Sequence, residues 1–430
     1  MRRRPVLVAL AATLLLAPSA ATASPTVRYG VQDEAWLQAG SASMPLLDQR
    51  LAVLDQLGVD VVRYTLRWDQ VAPTRPRYAT DPDDPTYDWA PNDPLLDGLQ
   101  AHDVRVLLTI WGTPSWANGG HGPNWAPRDP LAIASFVTAV ARHYPWVRMW
   151  EIWNEPNQVG GLRPNSPAVY VRRLLNPAYR ALHRVNPANM VGGGVTSPRA
   201  TRTALSAIVF MRGMRAAGAL LDAYSHHPYP RAFGRGRLES PLQVLPCGQI
   251  LTMANLQCLV ADVKRNFGPK RIWLTEYAYK TNPPDRWRGV SPALQARYIG
   301  ESALRVYKAS RVDLLIQFMV RDEPVVGRWA SGLFTAQDVV KPSFYAFMLP
   351  FAEASRYGNR TVLWGQVRPG AGDEPYFIVR RSGSHWFRVG DVGLTSPRGF
   401  FTRTVFAGPG MRFALCSALD ITCSPTLVVK

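Results

Sequence analysis

The sequence is poor in residues that build metal or redox centres. Its 430 residues hold only 4 cysteines and 7 histidines. The cysteines fall into two close pairs, Cys247 with Cys258 and Cys416 with Cys423. Neither pair has C-x-x-C spacing and no histidine lies beside them, so a zinc site has little support and no metal or organic cofactor is expected. Acidic residues are also scarce, with 31 Asp and Glu against 49 Lys and Arg, for a formal charge of +18. The basic excess is scattered. There is no run of five basic residues and no nucleic-acid motif, which argues against a nucleic-acid partner. No G-x-G-x-x-G follows a strand-like run, so nothing supports a dinucleotide fold. After residue 23 no run of about 18 apolar residues occurs, which excludes a membrane-spanning helix from the sequence pattern.

At the N-terminus, three arginines, Arg2 to Arg4, precede an apolar run from Val6 to Leu16 and a small-residue site at Ala21–Ala23. This is the pattern of a secretory signal peptide over residues 1–23. The remaining chain, 24–430, reads as a secreted, extracellular protein and as a monomer. In an oxidising compartment an even cysteine count points to disulfides. The spacing favours Cys247–Cys258 and Cys416–Cys423, although sequence alone allows three pairings.

From residue 27 to about 350, short β-branched or apolar runs alternate with longer amphipathic stretches. Strands are expected at 27–31, 60–68, 104–111, 147–154, 189–195, 220–226, 271–277 and 312–320. Helices are expected near 44–57, 93–101, 129–143, 166–185, 201–217, 254–267, 291–309 and 342–349. Asp129-Pro130 and Ser291-Pro292 are helix-opening signals. Eight such units imply an α/β fold, a (β/α)8 TIM barrel over 24–351, with a doubly wound open sheet as the alternative. Beyond residue 352 the texture changes to short strands between Gly/Pro turns, which reads as a small all-β, sandwich-like module over 352–430.

Functional groups of such a barrel gather at the C-terminal strand ends. Strand 4 ends in "WEIWNEPN", with Asn154 and Glu155. Strand 7, "RIWLTEY", carries Glu276. Strand 2 offers Arg63 and exits through Trp68, strand 3 exits through Trp111, and strand 6 runs into "SHHPYP" with His227 and Tyr229. Two carboxylates among aromatic and amide groups suit glycosidic bond cleavage: one protonates the leaving oxygen, the other attacks or stabilises the anomeric carbon. Glu151 shares the strand-4 run. It lies about 13 Å down the strand from Glu155 and is expected to be a buried, paired carboxylate. His226 and His227 point to opposite faces of their strand, so only one of them faces the site.

Taken together, "WEIWNEPN", "LTEYAYK", "VVRYTLRWDQVAP" and "HPYP" resemble the retaining glycoside hydrolases of clan A, most of all family 39, with family 5 as a relative. The resemblance covers about 27–350. It implies Glu155 as general acid/base and Glu276 as nucleophile. Asn154 would bind the sugar 2-hydroxyl, Arg63 would stand beside Glu276, and His227 and Tyr229 would complete the ring, with Trp111 and Trp68 as sugar platforms. One departure is visible at strand 8. Where clan members often carry a tryptophan, this chain has Gln317 and Phe318, leaving Phe318 or Trp329 to supply the ring. A carbohydrate substrate follows. Arg231, Arg235, Arg237, Lys280, Arg286, Arg288 and Arg321 on the same face raise an acidic glycan as one form of it. A transglycosylase on the same site, or a non-catalytic glycan-binding protein, remains open at this point.

Overall fold

Eight parallel strands close into a barrel in which each strand lies beside its neighbours in sequence. They are β1 (Arg28–Gln32), β2 (Val61–Arg67), β3 (Arg105–Trp111), β4 (Met149–Ile152), β5 (Met190–Thr196), β6 (Ala223–His226), β7 (Arg271–Tyr277) and β8 (Val312–Phe318). β1 pairs with β8 to complete the ring. The computed structural model describes residues 24–41, 43–198, 204–325, 328–370 and 372–430. The leader expected at 1–23 lies outside the described residues.

Helices follow the strands where the amphipathic period places them: α1 (Met44–Leu57), α2 (Asp93–Ala101), α3 (Pro130–His143), α4 (Asn176–Val185), α5 (Ala207–Ala216), α6 (Leu256–Phe267), α7 (Pro292–Tyr307) and α8 (Pro342–Met348). The expected opening signals act as caps. The Asp129 carboxylate accepts from the Leu131 amide, and the Ser291 hydroxyl accepts from the Leu294 amide. Each satisfies a backbone donor that the first helical turn leaves without a partner. The fifth helix is shorter than expected, because residues 204–206 lie outside it and 201–203 are outside the described residues.

Inside the barrel, Val61, Leu107, Ala223, Trp273, Leu314 and Ile316 form a small apolar plug. The larger core lies between the strands and the helix ring. This division follows from strand geometry, in which alternate residues face opposite sides. The plug fills the lower barrel and leaves polar residues in the layers above it.

The C-terminal chain forms separate antiparallel sheets. One contains β9 (Phe351–Tyr357), β10 (Arg360–Gln366) and β14 (Phe400–Phe406). The other contains β11 (Pro375–Ser382), β12 (His385–Arg388), β13 (Gly393–Leu394), β15 (Arg412–Ser417) and β16 (Leu427–Val428). Disulfides join Cys247 to Cys258 and Cys416 to Cys423. These sheets touch the lower end of the barrel. Arg398 bonds the Val27 carbonyl at 3.1 Å and forms an ion pair at 3.0 Å with Asp60, just before β2. The Arg368 guanidinium lies 3.9 Å from the ring centre of Tyr29. The seat is thus opposite the strand ends that carry the glutamates. No helix among the described residues is long and apolar enough to cross a membrane.

Candidate active site

Arg63 organises the upper barrel. Its place on β2, two residues after the inward Val61, turns it into the interior, where it is 1% exposed. A buried guanidinium needs its donors matched. Its Nε bonds Glu151 at 2.7 Å, Nη1 bonds Glu276 at 2.7 Å as well as Gln32, and Nη2 bonds Asn154 at 2.9 Å. Glu151 is fully buried and also accepts from Thr109 at 2.9 Å. It is therefore the paired inner carboxylate that its depth in the strand predicts.

Glu276 reaches this ring through an irregularity in β7. Leu274 pairs with Leu315, but Tyr277 pairs with Gln317. Two residues, Thr275 and Glu276, therefore stand opposite Ile316, in the manner of a β-bulge that re-aims a side chain. Plain alternation from the inward Trp273 would have sent Glu276 outward. Its Oε1 instead meets Arg63, and its Oε2 accepts from the Tyr229 hydroxyl at 2.9 Å. Burial by itself pushes this carboxyl up. His227, Arg63 and the two hydrogen bonds outweigh it and hold the group below its ordinary value. Glu276 is thus kept ionised. Burial and the neighbouring carboxylates push the Tyr229 phenol far up, so it remains a neutral donor.

Glu155 is placed differently. β4 ends at Ile152, and the chain then turns through left-handed backbone at Trp153 (φ 78°) and Glu155 (φ 42°). Non-glycine residues seldom adopt this region, and such strain gathers at functional sites. Three contacts over-determine the turn: the Trp153 amide to Ile110 at 2.9 Å, the Glu155 amide to Val195 at 3.0 Å, and the Trp153 indole to the Gly161 carbonyl at 2.7 Å. Gly161 is required there, since a Cβ would lie 2.0 Å from the Glu155 carbonyl oxygen. The Glu155 carboxylate meets His227 Nδ1 at 3.1 Å and the Gln158 amide, and no guanidinium among the described residues touches it. His227 Nδ1 also lies 3.5 Å from Glu276. His226 faces away and bonds Thr196 at 2.8 Å and the Leu251 carbonyl at 3.0 Å. Burial lowers its pKa to about 3, so it stays neutral.

One oxygen of Glu155, one of Glu276 and a ring nitrogen of His227 all lie within 4.8 Å of one another. That spacing could hold a divalent cation. However, both Glu276 oxygens are already engaged, one by a guanidinium that would repel such an ion. Chemically, the arrangement sets an ionised carboxylate beside a second carboxyl, with their nearest oxygens within 4.8 Å.

Of the aromatic candidates, Trp111 is half-buried at the mouth, 5.9 Å from Trp153 and with the Arg67 guanidinium 4.7 Å from its ring centre. Trp68 corrects the sequence reading. It opens the short helix Trp68–Val71, which turns its side chain outward, and it is fully buried, stacked 5.3 Å from Phe136. No face of it is open to a sugar. Phe318 and Trp329 pack together at 4.9 Å, and Trp329 lies 5.2 Å from Tyr229. Gln32, Thr109 and Gln158 were not anticipated. Gln32 and Gln158 could have been flagged as polar residues at or just past strand exits.

No protein-family model matches this sequence, and no curated protein matches it. Solved structures do share its fold. A family 39 glycoside hydrolase from Bacteroides cellulosilyticus aligns with TM-score 0.58 at 16% identity, over 90% of this chain and 80% of that one. The catalytic domain of GH30 xylanase C from Talaromyces cellulolyticus aligns with TM-score 0.53 at 12% identity, over 95% and 98%. CelM2, a bifunctional glucanase-xylanase from a metagenome library, gives TM-score 0.52 at 11% identity, over 90% and 95%.

Proposed function

We propose that this protein is an exported, retaining glycoside hydrolase that cleaves O-glycosidic bonds of a poly- or oligosaccharide by double displacement. The observation that carries this reading is the pair of carboxylates with oxygens within 4.8 Å of each other, of which Glu276 is held ionised by a guanidinium. Retaining enzymes place their carboxyls about 5–5.5 Å apart, whereas inverting ones need about 6.5–9.5 Å to admit a water. The short separation therefore favours direct attack.

In the first step a Glu276 oxygen bonds to the anomeric carbon while the glycosidic C–O bond breaks. The leaving oxygen takes a proton from Glu155. In the second step Glu155 takes a proton from water, the water oxygen bonds to the anomeric carbon, and the bond to Glu276 breaks. Asn154, fixed by Arg63, is positioned for the 2-hydroxyl, where hydrogen bonds strengthen in the transition state. Trp111 offers a ring for a neighbouring sugar. The two disulfides and the leader-like N-terminus support export.

Product stereochemistry tests the reading. Aryl glycosides hydrolysed in an NMR tube should give a first-formed sugar with the anomeric configuration of the substrate. An inverted first product rules out double displacement.

A further inference from the structure

We propose that the loops after β6 and β7 form a distal subsite for an anionic sugar, so that the substrate is a polysaccharide bearing carboxylate or sulfate groups. This rests on the glycosidase reading of the adjoining cleft. Beyond Tyr229 the chain forms a small hairpin of Ala232–Gly234 paired with Arg237–Leu238. The loop after β7 lies against it. The Gly236 amide bonds the Trp287 carbonyl at 3.0 Å, and Arg235 Nε bonds the Arg286 carbonyl at 3.0 Å. The Arg235 guanidinium lies 4.8 Å from the Trp287 ring centre, yet the indole remains 70% exposed.

The charge on this rim has one sign. Arg235, Arg237, Arg286 and Arg288 are exposed, and none has a carboxylate partner among the described residues. The two acids of the same loops, Glu239 and Asp285, are buried. Asp285 is committed to Lys280 at 3.3 Å and to the amides of Trp287 and Arg288. The rim is continuous with the catalytic ring. Tyr229 donates to Glu276, Trp329 lies 5.2 Å from Tyr229, and Lys280 lies 5.0 Å from the Trp329 ring centre. An exposed indole offers a flat face to a sugar ring, and a guanidinium fork matches the planar oxygens of a carboxylate or the oxygens of a sulfate.

The test uses the full chain with Glu276→Gln, which binds without turnover, in affinity electrophoresis through polygalacturonate, dextran sulfate or neutral hydroxyethyl cellulose. At low salt at least one polyanion should retard the protein about tenfold more strongly than the neutral polymer, and salt should abolish the difference. The better polyanion identifies carboxylate or sulfate. Adding Trp287→Ala with Arg286→Ala should weaken polyanion binding about tenfold, while Arg380→Ala with Arg381→Ala, on the distant β11, should leave it intact. Equal retardation by the neutral polymer, equal loss from the β11 pair, or tighter binding of oligothymidylate than of both polysaccharides would overturn the proposal. Aryl-glycoside hydrolysis by the wild-type active site is a separate readout. Its failure would remove the glycosidase reading and leave the binding result to stand or fall by itself.

Discussion

The ends of β4 and β7 each present a glutamate to the same opening, and they hold it in opposite ways. At β7 a two-against-one mismatch with β8 lies at the strand end, and Glu276 is gripped through both oxygens by Arg63 and Tyr229. At β4 the strand has already stopped. Glu155 hangs on a strained backbone turn and, among the described residues, its carboxylate meets only His227 and Gln158. Residue type is therefore no guide to role; the partners are. A carboxylate that must remain charged is given a cation and a donor. In the proposed mechanism, the carboxyl that passes a proton back and forth has no guanidinium partner among the described residues.

The sharpest way to break this comparison is to remove each glutamate in turn. Glu276→Ala should cut kcat/KM for aryl glycosides by about 10^5-fold, and added azide should restore part of the turnover as an inverted glycosyl azide. Glu155→Ala should lose about 10^2–10^4-fold on glycans and much less on aryl glycosides with good leaving groups, which need no proton. Equal losses in the two variants on both substrate types, measured by steady-state kinetics, would erase the distinction.

The pH profile sharpens it further. In the proposed mechanism Glu276 attacks as the ionised form, and its pKa is depressed, so activity should be lost only as pH falls below the ordinary carboxylate range. Weakening the cation leaves the burial cost less opposed and raises the pKa. Arg63→Lys should move the acidic limb of kcat/KM upward by about one pH unit, and Tyr229→Phe should move it in the same direction by less. A limb that stays or moves down contradicts the assignment. At the other strand end, Gly161→Ala should push the Glu155 carbonyl away and lower kcat about tenfold, with the acidic limb unmoved. A shifted limb in that variant would mean that the two ends are not independent.

Much of the barrel was legible because eight short β-branched or apolar runs alternate with longer amphipathic stretches, and the strand expected at 271–277 is the one observed. Polar residues at strand exits carried the candidate site in the same way, bringing Arg63, Asn154, Glu155, His227, Tyr229 and Glu276 into one ring. The rest depended on events without a local signature. The mismatch that turns Glu276 inward is a matter of register between β7 and β8. Trp68 sits at a strand exit like Trp111, but the chain goes helical at that residue and rotates it outward. Trp111→Ala should accordingly raise KM severalfold, whereas Trp68→Ala should lower Tm and leave the KM of the folded fraction unchanged. The seat of the C-terminal sheets under the barrel rests on contacts such as Arg398–Asp60, 338 residues apart, which no local pattern encodes.

Double displacement requires that Glu276 form a covalent bond to the sugar. Activated 2-deoxy-2-fluoro glycosides of the sugars that the protein turns over should inactivate it with a one-to-one mass increase. Peptide mapping should then place that increase on the segment containing Glu276. Inactivation with the label on any other residue, or continued turnover of the same sugar series with no adduct at Glu276, would contradict it.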